Sequence, residues 1–286
     1  MRYAIAAQNL SSLATQQLSA AQQSQTGLRV NAPSDDPIAA AQLARLSAVQ
    51  TQIAARQSAI SSVHGDAELA ESSLQQASDL MARAKELATQ GANGSLSASD
   101  RAILAAQVKN VLDELVALGN TQGANGFVFG GSQTQTAPFA SDGTFLGDDG
   151  QHVVDIGNST PTVVNSSGAQ AFTAAGGRDV FSDVSSLYTA LSTNDTAGIT
   201  ASMTNLDSSR AQLSTAEANA GTIINKLDAS TSVLSAADLD SQHQSQTLGA
   251  VNAAQAYSNL TALNNALTRS ASVSQQILSI ESFKNA

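Results

Sequence analysis

The feature that most constrains this chain is an unbroken heptad repeat near its N-terminal end. Apolar side chains, with one arginine among them, recur at alternating spacings of three and four through six heptads: Leu46, Val49, Ile53, Arg56, Ile60, Val63, Ala67, Ala70, Leu74, Ala77, Met81, Ala84 and Ala88. This spacing keeps one face of an α-helix against a partner helix. It predicts a single helix about 80 Å long at 1.5 Å per residue, packed in a helical bundle.

Start and stop signals bound this helix. Asp35, Asp36 and Pro37 precede it, and an acidic side chain can accept from the free N–H groups of a first turn in which proline is tolerated. The glycines of residues 91–94 end it. Residues 97–100, Ser-Ala-Ser-Asp, can cap a third helix, and the short loop makes that helix antiparallel to the second.

A second heptad repeat predicts the partner of this long helix. It runs through five heptads: Ile199, Met203, Leu206, Arg210, Leu213, Glu217, Ala220, Ile224, Leu227, Thr231 and Leu234. Charged residues occupy core positions in both repeats, and two interpretations stay open. Either the helices rotate slightly and the charges reach solvent, or Arg56 and Glu217 form a pair that fixes the register at some cost in stability.

The segment between the two repeats has a different composition. Gly123 to Gly177 contains eleven of the 19 glycines and five of the 7 phenylalanines. Its short β-favouring runs, punctuated by Gly, Asp and Asn, are Phe127–Phe129, Phe145–Leu146, His152–Ile156 and Thr162–Val164. We predict a mainly α fold with a small inserted β-rich surface domain at 127–178, whose phenylalanines form its core, between the rod segments 33–126 and 179–250.

The two ends, residues 1–32 and 251–286, are helical in pattern but poor in apolar side chains. Isolated helices of this kind are marginal in water, because nucleation is costly and packing supplies most of the stability. We therefore predict a terminal helical assembly domain in which the ends pair with each other and with other copies. The residues expected at this interface are Leu10, Leu13, Leu18, Leu260, Leu263, Leu267 and Ile277.

Composition disfavours several classes of function. The absence of Cys rules out disulfides and thiolate chemistry. A net charge of −10 without a basic stripe argues against nucleic acid and anionic membranes as partners. The three histidines lie far apart, and no nucleotide-binding or hydrolase motif is present, so we predict no catalytic, cofactor or metal site.

Two motifs resemble the flagellin family. Residues 26–41 read Thr-Gly-Leu-Arg-Val-Asn-Ala-Pro-Ser-Asp-Asp-Pro-Ile-Ala-Ala-Ala and are similar to its N-terminal signature, and residues 86–101 match a second motif. The resemblance covers nearly the whole chain. It implies that Gly-Leu-Arg joins an end helix to the rod and that the Asp pair begins the rod helix. The signature residues carried over are Gly27, Arg29, Asp35, Asp36 and Pro37.

The resemblance implies a structural, non-enzymatic protein of the bacterial flagellum. Pro33, Pro37 and the run Asn125–Gly131 favour a junction protein between hook and filament over a filament-forming flagellin, which stays the alternative. The implied partners are further copies in a ring, a hook-side junction protein, flagellin and an export chaperone. The implied location is the extracellular flagellum, reached by flagellar type III export. A catalytic or carbohydrate-binding β domain is disfavoured, because the insert lacks Trp and Tyr.

Overall fold

The structure is a computed structural model that describes residues 2–157 and 161–284. Over this part of the chain the helices are α1 Arg2–Thr26, α2 Pro37–Gly91, α3 Ala98–Gly119, α4 Gly168–Phe172, α5 Val180–Ser192, α6 Thr196–Gly249 and α7 Ala253–Lys284. Two antiparallel hairpins pair β1 Gln122–Gly123 with β2 Gly126–Phe127, and β3 Val153–Asp155 with β4 Pro161–Val163. The predicted mainly α fold with a small β region is confirmed.

The chain divides into two compact units. The first unit comprises Met1–Ile53 and Ala236–Ala286, and the second comprises Ala54–Ser235. Because α2 and α6 cross these boundaries, each long helix contributes to both units. The boundaries predicted from the sequence differ from these and stay a prediction.

In the second unit the heptad face of α2 is largely buried, as its spacing predicts, whereas on α6 only one of the two predicted positions in each heptad is buried. On α2 the buried core positions are Ile60, Ala67, Ala70, Leu74, Ala77, Met81, Ala84 and Ala88. On α6 they are Ile199, Leu206, Leu213, Ala220, Leu227 and Leu234. Of the other positions on α6, Arg210 and Thr231 are exposed and Met203, Glu217 and Ile224 are half-buried. Two side-chain contacts show that the helices are antiparallel: Lys85 Nζ lies 2.7 Å from Asp207 Oδ1, and His64 Nε2 lies 3.0 Å from Asp228 Oδ1.

Of the two interpretations left open for the charged core positions, the register pair between Arg56 and Glu217 is wrong. Arg56 precedes His64 by about two helical turns, and Glu217 precedes Asp228 by about three. Because the two helices run in opposite directions, residues that precede the His64–Asp228 contact on α2 and on α6 lie on opposite sides of it along the helix pair. Arg56 and Glu217 therefore do not meet. Arg56 Nη2 instead donates to Asp155 Oδ2 at 2.8 Å, which ties α2 to the β3–β4 hairpin.

The phenylalanines of the segment 127–178 do not form a core of their own, contrary to expectation. The Phe139 ring lies 4.9 Å from Phe181 of α5 and 5.4 Å from Phe172 between centroids, and Phe129 lies 5.3 Å from Phe172. All four are buried in one cluster with side chains of α2, α3, α5 and α6. Strands of two or three residues cannot enclose a core, so the segment folds onto the helices.

Candidate functional site

The connector between α1 and α2, residues 27–36, belongs to the first unit and contains most of the signature residues. Gly27 follows α1 with a φ of 71°, a left-handed conformation that glycine adopts without strain. Its carbonyl accepts from the N–H of Val251 at 2.9 Å, and the N–H of Arg29 donates to the carbonyl of Gly249 at 2.7 Å. The connector is thus hydrogen-bonded to the short segment that links α6 to α7.

The side chain of Arg29 joins the ends of two helices. Nη1 donates to Asp36 Oδ2 and Nη2 donates to the carbonyl of Leu248 in the last turn of α6, both at 2.9 Å. Asp36 Oδ1 accepts from the N–H of Ala39 at 3.0 Å in the first turn of α2. A cation at a helix C-terminus and a carboxylate at a helix N-terminus both stabilise the helix dipoles. The pair therefore connects the end of α6 to the start of α2.

Asp35 and Pro37 shape the turn into α2. Asp35 Oδ2 accepts from the N–H groups of Asn31 at 2.9 Å and of Ala32 at 2.8 Å. Pro37 is the first residue of α2, where its missing N–H removes no helical hydrogen bond. Each of the five signature residues thus forms or shapes part of the connector.

The connector contact is expected to weaken in acid. Hydrogen bonds from the Ala39 backbone and the Arg29 side chain lower the pKa of Asp36 below its ordinary value of 3.8. When folding lowers the pKa of a carboxyl, the ionised carboxylate stabilises the folded form at any pH above the pKa that it has in the unfolded chain. This stabilisation is lost as the pH falls through the lower pKa that it has in the folded chain. We therefore expect the Ala39 amide to exchange its hydrogen more slowly in the wild type than in the Asp36→Asn variant at neutral pH. This difference in exchange rate should shrink below about pH 4. An equal difference at acid pH would contradict this assignment.

Helices α1 and α7 pack against each other, as predicted for the two ends. Gln17 Nε2 donates to Asn264 Oδ1 at 2.8 Å across the pair. Five of the predicted interface residues are half-buried: Leu10, Leu13, Leu260, Leu263 and Leu267. Leu18 is 66% exposed, so pairing within one chain does not bury it. The side chain of Ile277 lies outside the described residues.

The first unit buries few apolar side chains. Among the residues whose burial is described, its buried hydrophobic residues are Ala20, Val30, Ala39, Ile53 and Ala256. Its exposed large hydrophobic residues are Ile5, Leu18, Leu28, Ile38, Val49, Leu239, Tyr257 and Val273. Three of the five buried residues are alanines, so this unit gains little stability from its own core. Over these residues the unit therefore exposes more large apolar side chains than it buries.

Other features of the described residues offer less chemistry. A cavity of about 450 Å³ lies in the second unit against α2, and its lining includes Val63, Phe127 and Val164 together with Asp66 and His152. No three His, Cys, Asp or Glu side chains in the described part of the chain are grouped as metal ligands. None of its helices is both long enough and apolar enough to cross a membrane.

The chain resembles known flagellar proteins in sequence. Residues 1–134 match the bacterial flagellin N-terminal helical region. Flagellar hook-associated protein 3 of Salmonella typhimurium is 34% identical over 170 residues, which are 58% of this chain and 54% of that protein. Its Escherichia coli counterpart is 40% identical over 128 residues, 44% of this chain and 40% of that protein. The chain thus spans about half the length of the curated relatives it matches.

Solved structures share the fold. A flagellar hook-associated protein from Vibrio parahaemolyticus superposes with a TM-score of 0.69 at 25% identity, over 76% of this chain and 100% of that chain. The flagellar junction protein from Legionella pneumophila gives a TM-score of 0.58 at 17% identity, over 74% of this chain and 100% of that chain, and supports the fold alone. The resemblance to the flagellin family is therefore confirmed: residues 1–134 match the bacterial flagellin N-terminal helical region, and the chain is similar to flagellar hook-associated protein 3.

Proposed function

We propose that this chain is a structural junction protein of the bacterial flagellum that joins the hook to the flagellin filament. The observation that carries the proposal is the composition of the first unit, which buries few apolar side chains and exposes many. Such a unit is suited to contact with other protein chains. The similarity to hook-associated protein 3 supports a flagellar structural role, and the proposed role needs no enzyme activity or cofactor.

Folding of the terminal helices is coupled to assembly in this proposal. Ordering a helix costs conformational entropy at every residue, and the few buried side chains of the first unit offset little of that cost. Neighbouring copies would cover the exposed apolar side chains of α1 and α7 and supply the missing stabilisation. Weakly stable ends keep free chains from assembling early and suit passage through the flagellar type III channel.

The proposed partners follow from this placement at the junction. Further copies of the chain would form a ring that contacts a hook-side junction protein on one side and flagellin on the other. An export chaperone would cover the terminal helices before export. The proposed location is the extracellular flagellum.

Deletion of the gene tests the proposed role. Cells that lack this chain should have hooks without attached filaments when viewed by electron microscopy, because the first flagellin subunits would have no surface on which to assemble. Expression of the intact chain from a plasmid should restore the filaments and serves as the control. Normal filaments on the deletion strain would refute the junction role.

A filament-forming flagellin is the second candidate, favoured by the match of residues 1–134 to the flagellin N-terminal helical region. Seeded polymerisation separates the two candidates. A filament protein extends seeds into long filaments of its own, whereas a junction protein adds at the seed end without further growth.

A further inference from the structure

Two identical tetrapeptides lie in different surroundings in the second unit. Residues 91–94 and 123–126 both read Gly-Ala-Asn-Gly. In an Asn-Gly pair the glycine has no side chain to hinder attack of its backbone nitrogen on the asparagine side chain, and its backbone reaches many conformations. Because the local sequence is the same, a difference in reactivity between the two asparagines must come from the fold.

Asn93 lies in the exposed turn between α2 and α3, with its carboxamide nitrogen free. Its Oδ1 accepts from the N–H of Ser95 at 3.0 Å, whereas within the described structure Nδ2 and the N–H of Gly94 have no hydrogen-bond partner. Apart from Gly94 itself and its two chain neighbours, no residue has an atom within 4 Å of the point where a side chain of Gly94 would begin. The Ser95 N–H is positioned to stabilise negative charge that develops on Oδ1 during attack at Cγ.

Asn125 has the opposite environment. Its Nδ2 donates to Asp66 Oδ2 at 2.7 Å and to Ser62 Oγ at 2.9 Å, and its Oδ1 lies 3.3 Å from the same hydroxyl. A hydrogen bond to a carboxylate is stronger than one between neutral groups. Loss of Nδ2 from Asn125 therefore requires that these hydrogen bonds break first.

We propose that Asn93 is a site of spontaneous deamidation and that the fold protects Asn125. The backbone nitrogen of Gly94 gives up its proton to hydroxide and bonds to Cγ of Asn93. The Cγ–Nδ2 bond then breaks, and Nδ2 takes a proton from water and leaves as ammonia. Water opens the five-membered imide to aspartate or isoaspartate. The net reaction consumes one water and releases one ammonia, with no oxidant or reductant.

Isoaspartate at this position would alter the turn, because the main chain then passes through one additional carbon. The carbonyl of Asn93 accepts from Arg101 Nη2 at 2.8 Å and from the N–H of Leu96 at 3.2 Å. Arg101 is only 4% exposed, so a displaced carbonyl leaves a buried guanidinium donor without its partner. The modification therefore loosens the α2–α3 turn in chains that persist for a long time.

Mass spectrometry of the incubated chain tests this proposal. The purified full-length chain is held at neutral pH, and both peptides are followed for the mass gain of deamidation, with isoaspartate identified by enzymatic methyl labelling. We expect Asn93 to convert at least about tenfold faster than Asn125, a ratio equivalent to a barrier difference of about 1.4 kcal/mol. In urea the two rates should converge, because only the fold distinguishes the tetrapeptides.

Asp66→Ala provides the second measurement. It removes the carboxylate that holds Asn125 and should raise the rate at Asn125 while the rate at Asn93 is unchanged, with circular dichroism confirming that the variant is folded. Equal rates in the folded wild type, or an Asn93 that stays unmodified, would overturn the proposal. If a folded Asp66→Ala variant leaves the rate at Asn125 unchanged, the proposed protection is refuted.

Discussion

Replacement of Leu263 by Asp is expected to abolish incorporation of the chain into the flagellum while leaving most of its helical signal intact. Leu263 is half-buried on α7, the helix that packs against α1. A carboxylate at this position must lose hydration when the helices and neighbouring copies close around it, a cost of several kcal/mol. The second unit should be unaffected, because the side chains of its core lie between Ala54 and Ser235.

Complementation of a deletion strain measures this effect. Filament number is counted by microscopy, and the free variant is examined by circular dichroism. The control is Val233→Asp, which places the same charge on a 68% exposed apolar residue of α6, outside the terminal helices. If Leu263→Asp restores filaments as well as the control does, the terminal helices are not the assembly surface. Loss of most helicity would show instead that the first unit supports the rest of the chain.

Limited proteolysis of the free wild type addresses the coupled folding separately. The first cuts should fall within α1 and α7, since these helices have the weakest core. Cleavage within α2 or α3 while both ends are spared would contradict the idea that the ends fold on assembly.

The long helices could be predicted from the sequence because their determinants are local and repeated. The six heptads of α2 specify both a helix and its buried face, and positions such as Leu74 and Met81 are fully or almost fully buried. The cap of α3 is equally local: Ser97 and Asp100 exchange the reciprocal hydrogen bonds of a capping box.

Helix α5 lies in the predicted rod segment 179–250, but the heptad repeat does not predict it as a helix separate from α6. Asp179 accepts from the N–H of Ser182 as its N-cap, and the buried residues Val180, Val184 and Leu187 follow at helical spacing. This thirteen-residue helix directly follows the glycine-rich segment, whose composition favours turns and strands. The helical spacing of these apolar residues immediately after Gly177 is the signal that distinguishes α5 in the sequence.

Contacts between distant parts of the chain could not be predicted in this way. The heptad spacing places Arg56 on the core face of α2, but its acceptor Asp155 is 99 residues away on a hairpin whose docking depends on the whole second unit. In the signature motif, too, local contacts can be predicted from the sequence and distant ones cannot. That Asp36 caps α2 follows from its position, whereas the bond from Arg29 to the carbonyl of Leu248 depends on how α6 ends.

Phe139→Ala is expected to lower the free energy of unfolding of the second unit by about 3–5 kcal/mol. Phe139 is 2% exposed and packs against Phe145, Phe172 and Phe181. The ring also covers Gly119 at the end of α3, where a side chain would begin within 2.7 Å of Phe139 Cδ2. Removal of the ring loses the transfer free energy of the buried side chain. It also leaves a cavity that these partly rigid neighbours cannot fill, and this cavity destabilises the fold further.

Urea unfolding followed by far-UV circular dichroism distinguishes a shared core from a separate one. If Phe139 belongs to a core shared with the helices, its removal must shift the transition of the helical signal, because the same cooperative unit unfolds. If the segment 127–178 were an independent domain, the helical transition would stay in place. Phe127→Ala is the matched control. Phe127 is half-buried at the cavity beside α2, so its replacement should lower the free energy of unfolding less than Phe139→Ala does. A helical midpoint unchanged by Phe139→Ala would restore the separate domain that the glycine-rich composition first indicated.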